Sequence, residues 1–285
     1  MDLTTTRDRL TIKLAKDKDR RRLARLIHFC PWVHRHLDWR PPLDWLGYQP
    51  YLIAERDGQL LAALACPPDP PEIAWIRLLA ISSELTIANV WKVLWQSAYE
   101  YLWGITVAAI PMQSWFSQQL ISAQFDHAHD VAMFAWENQK PPPEFNPPDC
   151  TLRLMKHDDL TLIKELDSLA FGPIWQQSFE MLEAAFKQSA HATVAESSKG
   201  IIGYQVSTAG SGGCHLARLA VHPKHQGKGI GYALTTDMLA YFYHRGSMRV
   251  TVNTQTDNYA SLALYKKVGF RSTDEVFPVY KTILD

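Results

Sequence analysis

Residues 226–231, Gln-Gly-Lys-Gly-Ile-Gly, alternate glycine with other side chains directly after an apolar strand and at the head of a helix running to about Arg245. Glycine tolerates positive φ and lets a ligand approach the backbone, while a helix N-terminus offers free N–H groups and a partial positive charge. The chemistry to expect is the binding of a phosphate or diphosphate. Two other cradles for such a group do not fit. A dinucleotide fingerprint needs G-x-G-x-x-G and an acid ~20 residues later, whereas the spacing here is G-x-G-x-G. A P-loop needs Ser or Thr after its lysine, and Lys228 is followed by Gly229.

A second motif lies downstream in VTVNTQTDNYASLALYKKVGF, residues 250–270. Asn258 is placed to cap a helix, and Tyr265, seven residues on, returns to the same face two turns later. Gly269 ends that helix and Phe270 opens the next strand. Together the two stretches resemble the GNAT superfamily of acyl-CoA-dependent N-acetyltransferases. The family's pyrophosphate loop, Q/R-x-x-G-x-G/A, is matched by Gln226, Gly229 and Gly231. Its strand-helix element, N-x-x-A/S-x-x-L-Y-x-x-x-G-F, is matched by Asn258, Ser261, Leu264, Tyr265, Gly269 and Phe270. The resemblance is strong over residues 150–283 and holds only in outline before them.

The resemblance implies acetyl-CoA as co-substrate, no metal, and direct attack of an amine on the thioester in a ternary complex. The acyl arm would lie where strand 215–221 parts from strand 248–253. The backbone of Leu219, Ala220 and Val221 would then pair with the pantetheine, and Gln226, Gly227, Lys228, Gly229, Ile230 and Gly231 would hold the diphosphate, with Asn253 and Asn258 beside them. Lys228 or Lys266 would meet the 3′-phosphate. Direct transfer needs a base for the ammonium and an acid for the leaving thiolate. By motif position Tyr265 is the acid. His215, eleven residues before Gln226, stands where many relatives carry a glutamate base, and an imidazole of pKa ~6.5 suits that task. The competing expectations are a transferase for a longer acyl-CoA and a non-catalytic acyl-CoA-binding or regulatory module.

These residues need a scaffold, and the chain offers it twice. LTIKLAKDKDRRRLARL (10–26) and CTLRLMKHDDLTLIKEL (150–166) align at an offset of 140, as do Leu79-Ala80-Ile81 and Leu219-Ala220-Val221. Both halves carry a hairpin pattern, at Asp57-Gly58 and Lys199-Gly200. ENQKPPPEFNPPD (137–149), with five prolines, reads as an extended connector. The expected architecture is α/β (α+β): two tandem GNAT-like domains, each a mixed, mostly antiparallel twisted sheet with a splayed parallel strand pair flanked by helices. The boundaries are 1–138, a proline-rich linker 139–149, and a catalytic domain 150–285. Each domain reads as β-α-α-β-β-β-α-β-α-β-β.

The halves differ in what they keep. Residues 1–142 hold nine of ten tryptophans and three of fourteen glycines. At the offset of 140, Trp91 falls on Gly231 and Trp75 on His215, so the first domain is expected to be degenerate and to bind no CoA. Trp32, Trp39 and Trp45, like Phe171, Trp175 and Phe179, fall on acceptor-side helices; the second trio is expected to wall the acceptor. His34/His36 and His127/His129 lack the support a metal site needs.

Composition narrows the partners. With 29 basic and 29 acidic side chains, the chain lacks the charge footprint of a nucleic-acid or membrane binder. Four scattered cysteines form no CxxC pair. The start, MDLTTTRDRL, has no apolar leader core. A cytoplasmic enzyme acting on a small-molecule or peptide amine is expected, and its oligomeric state is not readable.

Overall fold

The computed structural model describes residues 10–137, 140–210 and 212–284. The opening residues read above as lacking a leader core lie, up to Arg9, outside the described residues. The chain forms two compact units, residues 1–128 with 278–285, and residues 129–277. The proline-rich segment lies within the second. Among the described residues no helix is long and apolar enough to cross a membrane.

The first unit contains β1 (Thr11–Leu14), α1 (Arg20–Phe29), β2 (Trp32–Arg35), a 3-10 turn (Pro42–Trp45), β3 (Tyr51–Arg56), β4 (Gln59–Ala65), β5 (Ile73–Trp75), β6 (Leu78–Ile81), α2 (Ile87–Tyr99), β7 (Thr106–Ala109) and α3 (Ser114–Ser122). Strands β1, β3, β4, β6 and β2 make an antiparallel sheet in that order, and β5 pairs with β7 in parallel. The β3–β4 hairpin turns at Asp57 and Gly58, both at positive φ (51° and 76°), as a type I′ turn requires. The segment expected to supply the first acceptor-side helices does otherwise. Pro31, Pro41 and Pro42 interrupt it, and it forms β2 and the 3-10 turn instead.

The second unit begins within β8 (Asp126–Glu137) and continues through β9 (Cys150–Leu154), α4 (Leu160–Ala170), a 3-10 turn (Pro173–Trp175), α5 (Phe179–Gln188), β10 (His191–Ser197), β11 (Gly200–Gly210), β12 (Gly213–Val221), α6 (Ile230–Tyr243), β13 (Arg249–Gln255), α7 (Tyr259–Lys267) and most of β14 (Arg271–Ile283). Its element order follows the sequence reading, except that one long strand, β14, stands where a final strand pair was expected. Residues 278–283 of β14 belong to the first unit, where Tyr280–Ile283 pair with Thr106–Ala109 of β7. The repeated Asp19/Asp159 has a structural reason. Each carboxylate accepts from a backbone N–H three residues earlier, Lys16 at 3.0 Å and Lys156 at 2.7 Å, and opens the first helix of its half.

In β12, Val206 faces Arg218 while Ser207 faces Leu216, so Ala217 is an extra residue: a β-bulge. Parallel pairing of β12 with β13 runs only from Cys214/Val250 to Leu216/Val252 and stops there. Beyond it the strands part. In the first unit the corresponding stretch is broken into β5 and β6, and the far edge of β6 is taken by β2, with Trp32 facing Ile81 and Arg35 facing Leu78. Trp91 and Trp95 stack at 5.3 Å in the core of that unit.

The first unit also buries a histidine. His34 is 1% exposed, its Nε2 lies 3.1 Å from the Ile76 carbonyl oxygen, and its Nδ1 has no partner. Burial lowers its pKa from 6.5 to about 4, and burial pushes His36 down as well. With the folded pKa below the unfolded one, the contribution is whole above pH ~6.5 and is lost as pH falls toward 4. Moving from pH 7 to 4.5 is expected to cost about 2 kcal/mol through His34 alone. Urea midpoints at the two pH values check this, and a His34→Gln chain with an unchanged pH slope would refute the assignment.

Candidate active site

The splay between β12 and β13 opens into a groove of about 690 Å³ in the second unit. The N–H of His222 donates to the Ile202 carbonyl of β11 at 2.9 Å. Because donors alternate along an antiparallel ladder, the N–H groups of Val221 and Leu219 point the other way, into the gap that β13 has left. A sheet edge lies open there for one more extended chain.

The glycine loop closes one end. Gly227 and Gly229 take φ of +75° and +80°, Gly229 is the N-cap residue of α6, and the first turn, whose N–H groups have no partner within the helix, lines the groove. Gly231 serves packing: a Cβ there would lie 3.2 Å from Leu264 Cδ2. The Gln226 side chain donates through Nε2 to the Val221 carbonyl at 3.1 Å, tying loop to strand. Helix α6 is set close to the sheet because Gly203 lacks a side chain, a Cβ there meeting Ile230 at 3.1 Å.

On the opposite side, Asn258 caps α7 as expected, its Oδ1 accepting from the Ser261 N–H at 3.2 Å. That fixes Tyr265, which lines the groove at 5% exposure with its ring 5.6 Å from Phe270. Burial raises the phenol above its ordinary value of 10, partly opposed by a hydrogen bond with Ser261. It is a protonated donor at neutral pH.

Of the residues expected at the site, Leu219, Ala220, Val221, Gln226, Gly227, Gly229, Ile230, Gly231, Asn253, Asn258 and Tyr265 line the groove; Lys228 and His215 are not among them. Lys267 lines it, whereas Lys266 does not. His215 sits at the last parallel pairs, opposite Thr251, with its Nδ1 2.9 Å from Thr251 Oγ1. The same hydroxyl lies 3.3 Å from the Cys214 carbonyl oxygen, so Thr251 ties the imidazole to the last parallel pairs. Burial lowers the His215 pKa, opposed by a hydrogen bond with Asn253, which does line the groove.

The sequence reading missed Arg218. Its guanidinium spans Asp167 of α4 (2.5 and 2.8 Å) and the Trp175 carbonyl (2.8 Å), and lies 3.8 Å over the Phe171 ring. Tyr204 donates to the same carboxylate. Phe171 and Trp175, expected at the acceptor wall, line the groove at this end, while Phe179 does not. The only signals in the sequence were a carboxylate on the apolar face of α4 and an arginine in an apolar strand. Among the described residues no cluster of His, Cys, Asp or Glu could hold a metal ion.

The loop, the splay and the capped α7 helix fall together in one stretch of the chain, and that stretch matches a known family. Residues 160–270 match the acetyltransferase (GNAT) family. The chain is 35% identical over 65 residues to mouse N-acetyltransferase family 8 member 3, covering 23% of this chain and 29% of that protein. It is 29% identical over 66 residues to fission yeast N-alpha-acetyltransferase 30, covering 23% and 44%. The chain thus spans less than half the length of either relative. Whole-chain likeness comes from solved structures. A GCN5-related N-acetyltransferase from Sphaerobacter thermophilus superposes with TM-score 0.64 at 18% identity, covering 98% of this chain and 97% of that one. A tandem GNAT protein from the clavulanic acid biosynthesis pathway gives TM-score 0.65 at 15% identity, covering 97% and 99%. At these identities they show the fold alone, a mixed α/β arrangement shared along nearly the whole chain.

Proposed function

We propose that the chain is an N-acetyltransferase that moves an acetyl group from acetyl-CoA to a primary amine of a small molecule or peptide, with its site in the second unit. The observation that carries this is the open β12 edge. The N–H groups of Leu219 and Val221 face a gap that ends at the glycine loop, a shape that takes an extended amide-bearing arm with a diphosphate behind it. The mouse and yeast relatives, named as N-acetyltransferases, support acyl transfer to nitrogen.

In this reading the amine nitrogen attacks the thioester carbonyl carbon, an N–H of the open edge stabilises the oxyanion, and the C–S bond breaks. The nitrogen's proton passes through water to His215, which does not itself line the groove but hydrogen-bonds with Asn253, which does. Tyr265 faces the leaving sulfur. A thiol has a pKa of ~8.5, below that of a phenol raised above 10, so full proton transfer from Tyr265 is uphill by at least ~2 kcal/mol. Its role is a hydrogen bond to sulfur as charge builds, with the thiolate protonated afterwards.

The first unit binds no CoA in this account. The edge that the pantetheine arm would need on β6 is already occupied by β2, and Trp91, which the offset of 140 sets against Gly231, lies in the core. The experiment for the proposal is release of CoA thiol from acetyl-CoA in the presence of primary amines. Acetyl-CoA binding without release would favour a binding module.

A further inference from the structure

The proline-rich segment 139–149 was expected to be a connector, yet its residues Pro143 and Phe145 reach the glycine loop. Tyr232 Oη, on the first turn of α6, donates to the Pro143 carbonyl at 3.3 Å. Two residues on, the Phe145 ring stands edge-on to Tyr232 with centroids 6.2 Å apart, and lies against Gly229 so closely that a Cβ there would overlap it. Lys267 Nζ lies 5.0 Å from the centre of the Tyr232 ring. Gly229, Tyr232 and Lys267 all line the groove. Phe145 remains 42% exposed.

An acyl-CoA is a thioester arm, a diphosphate and a phosphorylated adenosine joined end to end. If the arm lies along the β12 edge and the diphosphate at the head of α6, the adenosine must leave past Gly229. Phe145, Tyr232 and Lys267 stand there. We propose that Phe145 is the platform on which the adenine ring of the acyl-CoA stacks, with Lys267 beside it for the ribose phosphate. This rests on the reading of the groove as an acyl-CoA site. Prolines 141–143 and 147–148 restrict the backbone on both sides of Phe145, so the ring is held before the ligand arrives and little ordering remains to oppose stacking. Lys267, which the sequence reading passed over in favour of Lys266, is placed by the same geometry.

The test is calorimetric titration of the full chain with CoA and with 4′-phosphopantetheine, which keeps the arm and lacks the adenosine. Replacing a stacking aromatic by alanine commonly weakens base binding by about 10- to 100-fold. Phe145→Ala is expected to weaken CoA by that factor and leave 4′-phosphopantetheine within twofold, while Phe145→Trp restores CoA binding. Thermal melts of both variants establish that they are folded. Equal weakening of both ligands would make Phe145 a cover for the loop and overturn the proposal. Unchanged CoA binding would do the same, as would tighter binding, which would mean that the ring occupies the diphosphate's place. If the unaltered chain binds neither ligand, the acyl-CoA reading itself falls and takes the subsite with it.

Discussion

Tyr265→Phe is expected to lower kcat by about 10²- to 10³-fold, the usual cost of removing one donor from a developing anion, while the Kd for acetyl-CoA stays within twofold. The phenol is buried, its ring packs on Phe270, and its helix is fixed by the Asn258 cap, so the exchange removes one oxygen and little packing. Because burial raises its pKa, Tyr265 stays protonated across the working range and contributes no ionisation of its own near neutrality. The pH profile of the variant should therefore keep its shape and shift only in height. Single-turnover rates alongside Kd measurements separate these effects. An unchanged kcat would remove Tyr265 from the chemistry.

Arg218→Ala should destabilise the second unit by about 3–5 kcal/mol, the typical cost of leaving one member of a buried ion pair alone. Asp167 is fully buried, and without the guanidinium its carboxylate is left, among the described residues, with the Tyr204 hydroxyl and a long contact from the Gln177 N–H at 3.3 Å. Urea unfolding gives the loss directly. Arg218→Ala combined with Asp167→Ala should recover part of it, because the orphaned charge is gone. Additive losses in the double variant would contradict the pairing. The same guanidinium holds the Trp175 carbonyl and covers Phe171, so amine KM should rise in any folded Arg218 variant more than acetyl-CoA Kd does.

What could be read from the sequence was local. The positive φ at Gly227 and Gly229, the Asn258 cap with Tyr265 two turns beyond it, and the type I′ turn at Asp57-Gly58 each follow from a residue type and its immediate neighbours. The Arg218–Asp167 pair joins residues 51 apart across α4 and β12, and nothing in either neighbourhood specifies the other. The bulge at Ala217, which sets where the splay begins, is a mismatch of register between two strands and leaves no mark in composition. Strand β2 was hidden for a different reason. The offset that aligned the two halves also suggested helices for the segment carrying Trp32, Trp39 and Trp45, and local prolines overrode that likeness. The glycine and tryptophan asymmetry pointed to one open site and one filled one, although the edge of β6 is covered by β2 and not by Trp91. Phe145 was masked by its surroundings, since a proline-rich run reads as a connector whatever it lies against.

The most direct measurement of the central claim is the release of CoA thiol from acetyl-CoA by the full chain across a panel of primary amines, with acetyl-CoA stoichiometry determined on the same preparation. The account predicts amine-dependent release, an acetylated amine in equal amount, and one acetyl-CoA bound per chain. Tight binding with no release for any amine would contradict catalysis, and two bound per chain would contradict the closed first unit.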